Sequence, residues 1–144
     1  MALVLIDTSA WLFNFKPRVV PEIQKRIREL LYQDRAVITS PILFELLQGA
    51  RSGEEFGQLH QHLSSLHQFP VTESDWLKAA QWVQRLRSRG VSVKTIDSLI
   101  AYKAMRHRLT LLHADRDFDR IAKWVPLKVE SYVRSIRSRG VVVL

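Results

Sequence analysis

Short apolar runs alternate along this chain with longer segments in which apolar residues recur every three or four positions. A short apolar run bounded by turn residues predicts a buried strand, and a period near 3.6 predicts an amphipathic helix. The strand-like runs lie at residues 3–6, 36–39, 68–71, 109–115 and 127–130, and the helical segments at 22–32, 41–48, 54–66, 72–88 and 97–107. This alternation predicts βαβ crossovers, and therefore a three-layer α/β/α domain with a mainly parallel central sheet of about five strands.

Turn and cap residues set the expected boundaries of these elements. Residues 17–21 begin and end with proline and interrupt the chain before the first long helix. Ser40 and Pro41 predict a helix start, with serine at the cap and proline at the first helical position. Thr72 or Ser74 is expected to cap the helix that Gly90 ends. Residues 122–126 are expected to form a link before the last strand.

Acidic residues fall where predicted strands and helices meet. They are Asp7, Glu45, Asp97, Asp115 and Asp117. Open α/β sheets bind their ligands at the carboxyl ends of the strands, so several of these carboxylates are expected at one edge. Carboxylates gathered in this way repel one another unless a cation neutralises them. Mg²⁺ or Mn²⁺, which prefer oxygen ligands, suit such a site, and a metal-dependent phosphodiesterase is the leading hypothesis.

Each acid also has a purely structural interpretation. Asp7 and Asp97 precede helices, where aspartate as an N-cap contributes about 1 kcal/mol. Glu45 lies among large apolar residues and needs either a solvent-facing position or a partner. Asp115 and Asp117 point to the same side only if the backbone between them stays extended. The joint occurrence of these acids at one sheet edge, more than any one of them, indicates a site.

Composition and charge narrow the function. The 144 residues fit one domain, and the absence of cysteine excludes disulfides and thiol chemistry. The amino terminus is too short to be a signal peptide and no apolar run is long enough to span a membrane, so a cytoplasmic protein is expected. The net charge of +8 suits a polyanionic partner such as nucleic acid. Candidate phosphate contacts are Arg85, Arg87, Arg89, Lys94 and Arg116, although cations are also common in the last turn of a solvated helix.

Several other chemistries find no support in the sequence. A second aspartate two residues after Asp7, as an aspartyl-nucleophile phosphatase needs, is replaced by Ser9. The chain contains neither GxxxxGK[ST] nor GxGxxG, and its five histidines show no HExxH pattern. Trp11 and Phe13 follow Asp7; base stacking is possible for them, but packing in this apolar stretch is the favoured interpretation.

The motifs together resemble those of PIN-domain ribonucleases. They are DTSAW after the first strand, a glutamate in an apolar helix after Ser-Pro, TIDSLIA, and a strand followed by DRDF. Their order is especially similar to that of VapC-like toxins of toxin–antitoxin pairs, and the resemblance spans residues 3 to about 130. It implies a PIN-like nuclease domain at residues 1–130. Residues 131–144 are then an extension that forms an extra helix and strand, binds a partner, or is disordered.

The resemblance also implies roles for individual residues and partners. Asp7, Glu45, Asp97 and Asp115 would bind Mg²⁺ or Mn²⁺, with Asp117 as a fifth acid, and Thr8 or Ser9 would orient Asp7 or a bound water. The implied function is cleavage of structured RNA by metal-activated water. The alternatives are a housekeeping RNA-processing nuclease and a non-catalytic module that binds RNA or protein.

A homodimer and an antitoxin that inserts a basic segment at the acidic site are implied as partners. One departure from the motif is His113, which stands where such toxins often carry a hydroxyl residue. Its role as a support for Asp115 or as a core residue stays open.

Overall fold

A five-stranded parallel sheet forms the centre of the protein. The computed structural model describes residues 1–15 and 20–140. The strands are β1 (Val4–Ile6), β2 (Ala36–Ile38), β3 (His67–Gln68), β4 (Thr110–His113) and β5 (Val129–Ser131). Their order in the sheet is β3-β2-β1-β4-β5, and every neighbouring pair is parallel. All carboxyl ends therefore lie at one edge. Asp7 follows the central strand β1, and Asp115 comes two residues after the end of its neighbour β4.

Helices connect the strands and cover the sheet. In the described residues they are α1 (Thr8–Asn14), α2 (Pro21–Tyr32), α3 (Ser40–Leu47), α4 (Gly53–Ser64), α5 (Glu73–Ser88), α6 (Thr95–Arg106), α7 (Arg116–Ala122) and α8 (Val133–Ser138). The expected three-layer α/β/α architecture with a parallel sheet is confirmed. None of the helices in the described ranges has the length and apolar character needed to cross a bilayer.

The core explains why the strands read as continuous apolar runs. Every residue of β1 is buried, as is every residue of β2, because helices pack on both faces of the sheet. The helix α2 buries only one stripe, Ile23, Ile27 and Leu30, each with no exposed surface. Trp11 is also buried, at 4% exposure, so the packing interpretation of this residue holds.

Two helix starts differ from expectation. Thr39, and not Ser40, is the N-cap residue of α3, and the Ser40 hydroxyl instead accepts a hydrogen bond from the Val71 amide at 2.9 Å. The N-cap of α6 is Lys94, which places Asp97 in the first turn of that helix. Asp97 therefore does not cap α6, and the structural interpretation of its carboxylate as an N-cap is wrong.

Two strands and one helix also differ. The edge strand β3 ends early because the Phe69 amide makes the last bond, to the Ile38 carbonyl, and Pro70 has no amide to donate. The strand β5 begins at Val129 and not at residue 127. The helix α7 was not expected at all, since its seven residues bury only Phe118 and Ile121 and show too little periodicity.

The C-terminal segment is tied to α2. Val133 and Ile136 of α8 are buried, and the Arg139 guanidinium lies 2.8 Å from the Glu22 carboxylate. Arg26 also donates two hydrogen bonds to one oxygen of Glu130 and one to the other, at 2.9–3.2 Å. Up to residue 140, the predicted extension thus contains the end of β5 and a packed helix. Residues 141–144 lie outside the described part, as do residues 16–19 within the proline-bounded interruption.

The helices α5 and α6 are joined by a tight turn and a buried ion pair. Gly90 follows the end of α5 with φ +82, a conformation that L side chains rarely adopt. The Lys103 ammonium lies 3.0 Å from the Asp75 carboxylate, and both side chains are under 10% exposed. Asp75 also completes the capping box of α5 with Thr72, as one of the two caps expected from the sequence.

Candidate active site

Three carboxylates converge at the carboxyl edge of the sheet. Asp97, Asp115 and Asp117 each place one oxygen so that the three oxygens lie within 4.8 Å of one another. Asp115 follows β4, Asp117 lies in the first turn of α7, and Asp97 comes from the first turn of α6. All three are half-buried. We call these three residues the acidic cluster.

The turn into α7, and not an extended backbone, brings Asp115 and Asp117 together. Asp115 is the N-cap of α7, and its Oδ1 accepts a hydrogen bond from the Asp117 amide at 2.9 Å. This cap leaves Oδ2 of Asp115 as its second acceptor. The same residue therefore starts the helix and contributes to the cluster, so the structural and functional interpretations are compatible.

Asp7 lies beside this cluster and is held by Ser9. It is 5% exposed and caps α1, and its Oδ2 accepts hydrogen bonds from the Ser9 amide at 3.0 Å and the Ser9 hydroxyl at 2.6 Å. The same hydroxyl accepts a bond from the Ala114 amide at 2.9 Å. Ser9 thus links the end of β1 to the residue after β4 and orients the Asp7 carboxylate. Thr8 and Ser9 are the two hydroxyl residues expected in this role.

Thr8 supports Glu45 and not Asp7. The Thr8 hydroxyl donates to Oε1 of Glu45 at 3.0 Å, which joins α1 to α3. Glu45 is half-buried and its negative charge contributes to the raised pKa of Asp7. Among the described residues, Glu45 is not part of the acidic cluster. The structure thus brings three of the five expected acids into the cluster. Asp7 is close enough to Asp97 to raise its pKa, and Glu45 is close enough to raise that of Asp7.

The site holds more negative charge than its surroundings neutralise. Burial, followed by repulsion from Asp115, Asp7 and Asp117, raises the pKa of Asp97 to about 7. Burial is also the main cause that raises the pKa of Asp7 to about 6, against the opposing hydrogen bonds from Ser9. A proton or a cation relieves this repulsion. Clustered carboxylate oxygens fit a hard divalent ion such as Mg²⁺ or Mn²⁺.

The sequence matches the family model of the PIN domain over residues 4–123. The chain belongs to the PIN-domain family. It is 35% identical over 135 residues to VapC ribonuclease Mb1587 of Mycobacterium bovis and to ribonuclease VapC11 of Mycobacterium tuberculosis. These alignments cover 90% of this chain and 99% of each relative. Ribonuclease VapC18 of Mycobacterium tuberculosis is 32% identical over 124 residues, which cover 81% of this chain and 85% of VapC18.

Solved structures share the PIN fold of this chain. The VapBC complex of Salmonella typhimurium bound to DNA contains a chain with a TM-score of 0.72 and 24% identity, covering 92% of this chain and 99% of that one. FitAcB from Neisseria gonorrhoeae gives a TM-score of 0.70 at 20% identity, covering 88% and 96%. At these identities the likeness concerns the fold alone, and it agrees with the sheet order and helix layers described above.

His113 is both a core residue and a support of this PIN site. Its ring has no exposed surface and packs 5.3 Å from the ring of Phe118. Nδ1 accepts a hydrogen bond from the Asp115 amide at 3.2 Å, which places the proton of the neutral ring on Nε2. Burial lowers the pKa of His113 and keeps the ring neutral, although Asp119 and Asp115 oppose this shift.

The second ring nitrogen of His113 faces Asp119. Nε2 lies 3.2 Å from Oδ1 of Asp119, but the two atoms are not aligned as a hydrogen bond, so the contact is electrostatic. Oδ2 of Asp119 accepts a hydrogen bond from the Ser131 hydroxyl of β5. Sequence reasoning identified His113 as a departure, but the partners Asp119 and Ser131 follow only from the packing of β4, α7 and β5.

The candidate phosphate contacts do not lie together, and only Lys94 and Arg116 are next to the acidic cluster. Lys94 and Arg116 line a groove beside Asp117, and the Lys94 ammonium lies 3.5 Å from that carboxylate. Arg87 lines a different groove, against α5 and α6, and Arg85 is exposed on α5. Arg89 lies over the ring of Trp124, with 5.8 Å from its guanidinium carbon to the ring centroid.

Sequence reasoning missed Arg120. Its side chain lines the same groove as Lys94 and lies 3.9 Å from Asp117. Its position four residues after Arg116 is the signal that could have found it, once a helix at this point is known.

Proposed function

We propose that this chain is a metal-dependent endoribonuclease and the toxin of a toxin–antitoxin pair. The observation that carries the proposal is the acidic cluster, with the raised pKa of Asp97, inside a PIN domain. The ribonucleases that the chain resembles at 35% identity along nearly their whole length support the substrate class. The net charge of +8 supports a polyanionic substrate.

Asp97, Asp115 and Asp117 would hold the divalent ion, with Asp7 beside them and Glu45 further out. A bound Mg²⁺ or Mn²⁺ supplies Lewis-acid chemistry, since it lowers the pKa of water and neutralises charge on a phosphodiester. Ser9 positions Asp7, and both hydrogen bonds that the described residues donate to the Asp7 carboxylate end on Oδ2, so Oδ1 would be available to a bound ion. His113 and the α7 cap together fix the backbone and carboxylate of Asp115.

The fixed geometry of these carboxylates is what would favour catalysis over simple ion binding. Preorganised groups need no rearrangement as charge develops in the transition state. Asp115 is restrained through both its amide and its carboxylate, and Asp7 through a serine that also bonds to β4. A buried general base is not needed in this scheme, and the neutral, enclosed ring of His113 is suited to positioning.

The test is cleavage of a panel of structured RNAs by the purified full chain with Mg²⁺, with Mn²⁺ and with EDTA. Asp97→Asn is the inactivating variant. Glu73→Gln is the matched control, because Glu73 also lies in the first turn of a helix but is exposed on α5. We expect metal-dependent cleavage by the wild type and by Glu73→Gln, and none by Asp97→Asn. Equal cleavage by all three proteins, or cleavage that persists in EDTA, would contradict the proposal.

An antitoxin would dock in the groove next to Glu45. This groove has a volume of about 700 Å³, and its lining combines apolar residues such as Leu12 and Phe15 with polar and charged ones, including Glu45, Glu55 and Arg51. Leu12 and Phe15 are each about half exposed. Exposed apolar side chains beside two carboxylates suit a partner segment with apolar side chains and an arginine or lysine, as expected for an antitoxin that inserts a basic segment.

Self-association would use α5. Trp76 and Leu77 are 49% and 65% exposed there, beside a groove against α6. Sedimentation equilibrium tests the expected homodimer. Leu77→Glu should shift the population to monomer, and Leu31→Glu, a partly exposed leucine on α2, should not. A wild type that stays monomeric at 100-fold the assay concentration would contradict the dimer.

A further inference from the structure

A second, basic groove adjoins the acidic cluster, with Asp117 common to both. It has a volume of about 390 Å³, and its lining residues are Ser92, Val93, Lys94, Arg116, Asp117 and Arg120. Three of these six residues are cationic, and all three cations are exposed at the surface. Two of them contact Asp117 at long ion-pair distances, 3.5 Å for Lys94 and 3.9 Å for Arg120.

An exposed tryptophan lies shortly after the end of α7. Arg116, Arg120 and Trp124 are spaced four residues apart, and this spacing places Arg116 and Arg120 on one face of α7. The Trp124 amide donates a hydrogen bond to the Ile121 carbonyl, so the chain makes one further turn directly after the helix. Trp124 is 46% exposed.

The segment 89–94, of which residues 92–94 line the groove, meets α7 and the turn after it at two points. At one end the Lys94 ammonium contacts Asp117, and at the other the Arg89 guanidinium lies over the Trp124 ring. At about 1.5 Å per residue, the path from Arg116 to Trp124 is about 12 Å long. This length covers roughly three stacked nucleotides at about 3.4 Å each.

We propose that this groove binds a single-stranded segment of RNA next to the phosphate that is cleaved. Lys94, Arg116 and Arg120 contact its phosphates, and an unpaired base stacks on Trp124. Cations along a groove with an aromatic platform are the common features of single-strand binding. The inference rests on the proposed ribonuclease function, and it adds the requirement that the substrate be unpaired beside the cleavage site.

The charge of the groove favours RNA over a protein segment. A peptide that filled it would need acidic side chains at the spacing of three cations and a partner for the tryptophan face. A nucleic acid strand supplies both a regular series of negative charges and flat aromatic surfaces. Binding of an acidic peptide in place of RNA would overturn the proposal.

The experiment measures fluorescence anisotropy of a labelled single-stranded oligoribonucleotide of mixed sequence. All proteins carry Asp97→Asn so that the RNA stays intact. The groove variants are Arg120→Ala and Trp124→Ala, with Trp124→Phe to retain stacking. Arg28→Ala and Tyr32→Ala on α2 are the matched controls, since both residues are exposed and lie outside the groove. Circular dichroism melting confirms that each variant is folded.

The variants have different expected signatures. Arg120→Ala should weaken binding and reduce the slope of log K against log salt by about 0.7, the value for one phosphate contact on a single strand. Trp124→Ala should weaken binding about fivefold to a hundredfold with little change in slope, and Trp124→Phe should recover most of the loss. An RNA duplex of the same length should be insensitive to Trp124→Ala.

The possible failures are distinguishable. Wild-type cleavage together with groove variants that bind RNA as tightly as the α2 controls would overturn the groove and leave the ribonuclease function intact. If the wild type does not cleave RNA and the Asp97→Asn protein does not bind it, both the groove and the ribonuclease function are overturned.

Discussion

The replacement Asp97→Asn should stabilise the metal-free protein at alkaline pH. The Asp97 carboxylate has a pKa of about 7, because burial and three neighbouring carboxylates oppose its ionisation. When the pKa of a carboxyl group is higher in the folded than in the unfolded state, its ionisation destabilises the fold. The free energy of unfolding therefore falls as pH rises from about 4 through about 7. Asparagine does not ionise, so it avoids this penalty. It also breaks no hydrogen bond, since no described residue donates one to the Asp97 side chain.

The size of the effect follows from the shift. Three pKa units correspond to about 4 kcal/mol at most. Because Asp97 is only half-buried, solvent screening reduces this to about 1–2 kcal/mol. In a chain of this length, each kcal/mol changes Tm by about 2–4 °C. We therefore expect Asp97→Asn to melt about 2–8 °C above the wild type at pH 8 in EDTA, and close to it at pH 4.5.

Thermal melting followed by circular dichroism measures this difference, with Glu73→Gln as the control that should follow the wild type at both pH values. Saturating Mn²⁺ should make the wild type the more stable protein at pH 8. At a hundredfold excess of Mn²⁺ over Kd, the free energy of unfolding of the wild type should rise by about 3 kcal/mol, and that of Asp97→Asn should change little. A variant that melts below the wild type at pH 8 without metal, or one that Mn²⁺ stabilises equally, would refute the reasoning.

Three further substitutions test the supports of the site and of the fold. Ser9→Ala should cost about 1–3 kcal/mol in urea unfolding and slow RNA cleavage, because it leaves the Ala114 amide, just after β4, without its acceptor and releases Asp7; unchanged cleavage would contradict the positioning role. His113→Phe keeps an aromatic ring in the core but removes the Nδ1 acceptor, so it should lower kcat more than it raises KM, and a change in KM alone would argue for packing only. Lys103→Met should destabilise the protein by about 3–5 kcal/mol in urea unfolding, since it leaves Asp75 buried without its cation, and a loss below 1 kcal/mol would mean that water reaches the pair.

The elements that the sequence predicts well are those with strong periodicity. The strand before Asp7 is buried throughout and entirely apolar, and the strand before Asp115 is buried from Leu111 to His113 with only Thr110 partly exposed. The carboxyl edge of a parallel sheet then brings these two acids near each other without further information. Helix α2 is similarly clear, since its buried positions recur with the helical period.

Local contacts decide the features that the sequence could not give. Aspartate is favourable both at the N-cap and in the first turn of a helix, so the position of Asp97 could not settle where α6 begins. The bond between Thr8 and Glu45 joins residues 37 positions apart and depends on how α1 packs near α3. The helix α7 is too short to show a period, and the basic groove along it was therefore hidden.

The location of the metal tests the central claim most directly. Crystals grown with Mn²⁺ and measured near the manganese absorption edge give an anomalous difference map that shows where the ion binds. We predict a peak within coordination distance, about 2.0–2.2 Å, of carboxylate oxygens of Asp97, Asp115 and Asp117, and no such peak in Asp97→Asn crystals. A wild-type peak elsewhere, or none at Mn²⁺ concentrations that sustain RNA cleavage, would contradict the account.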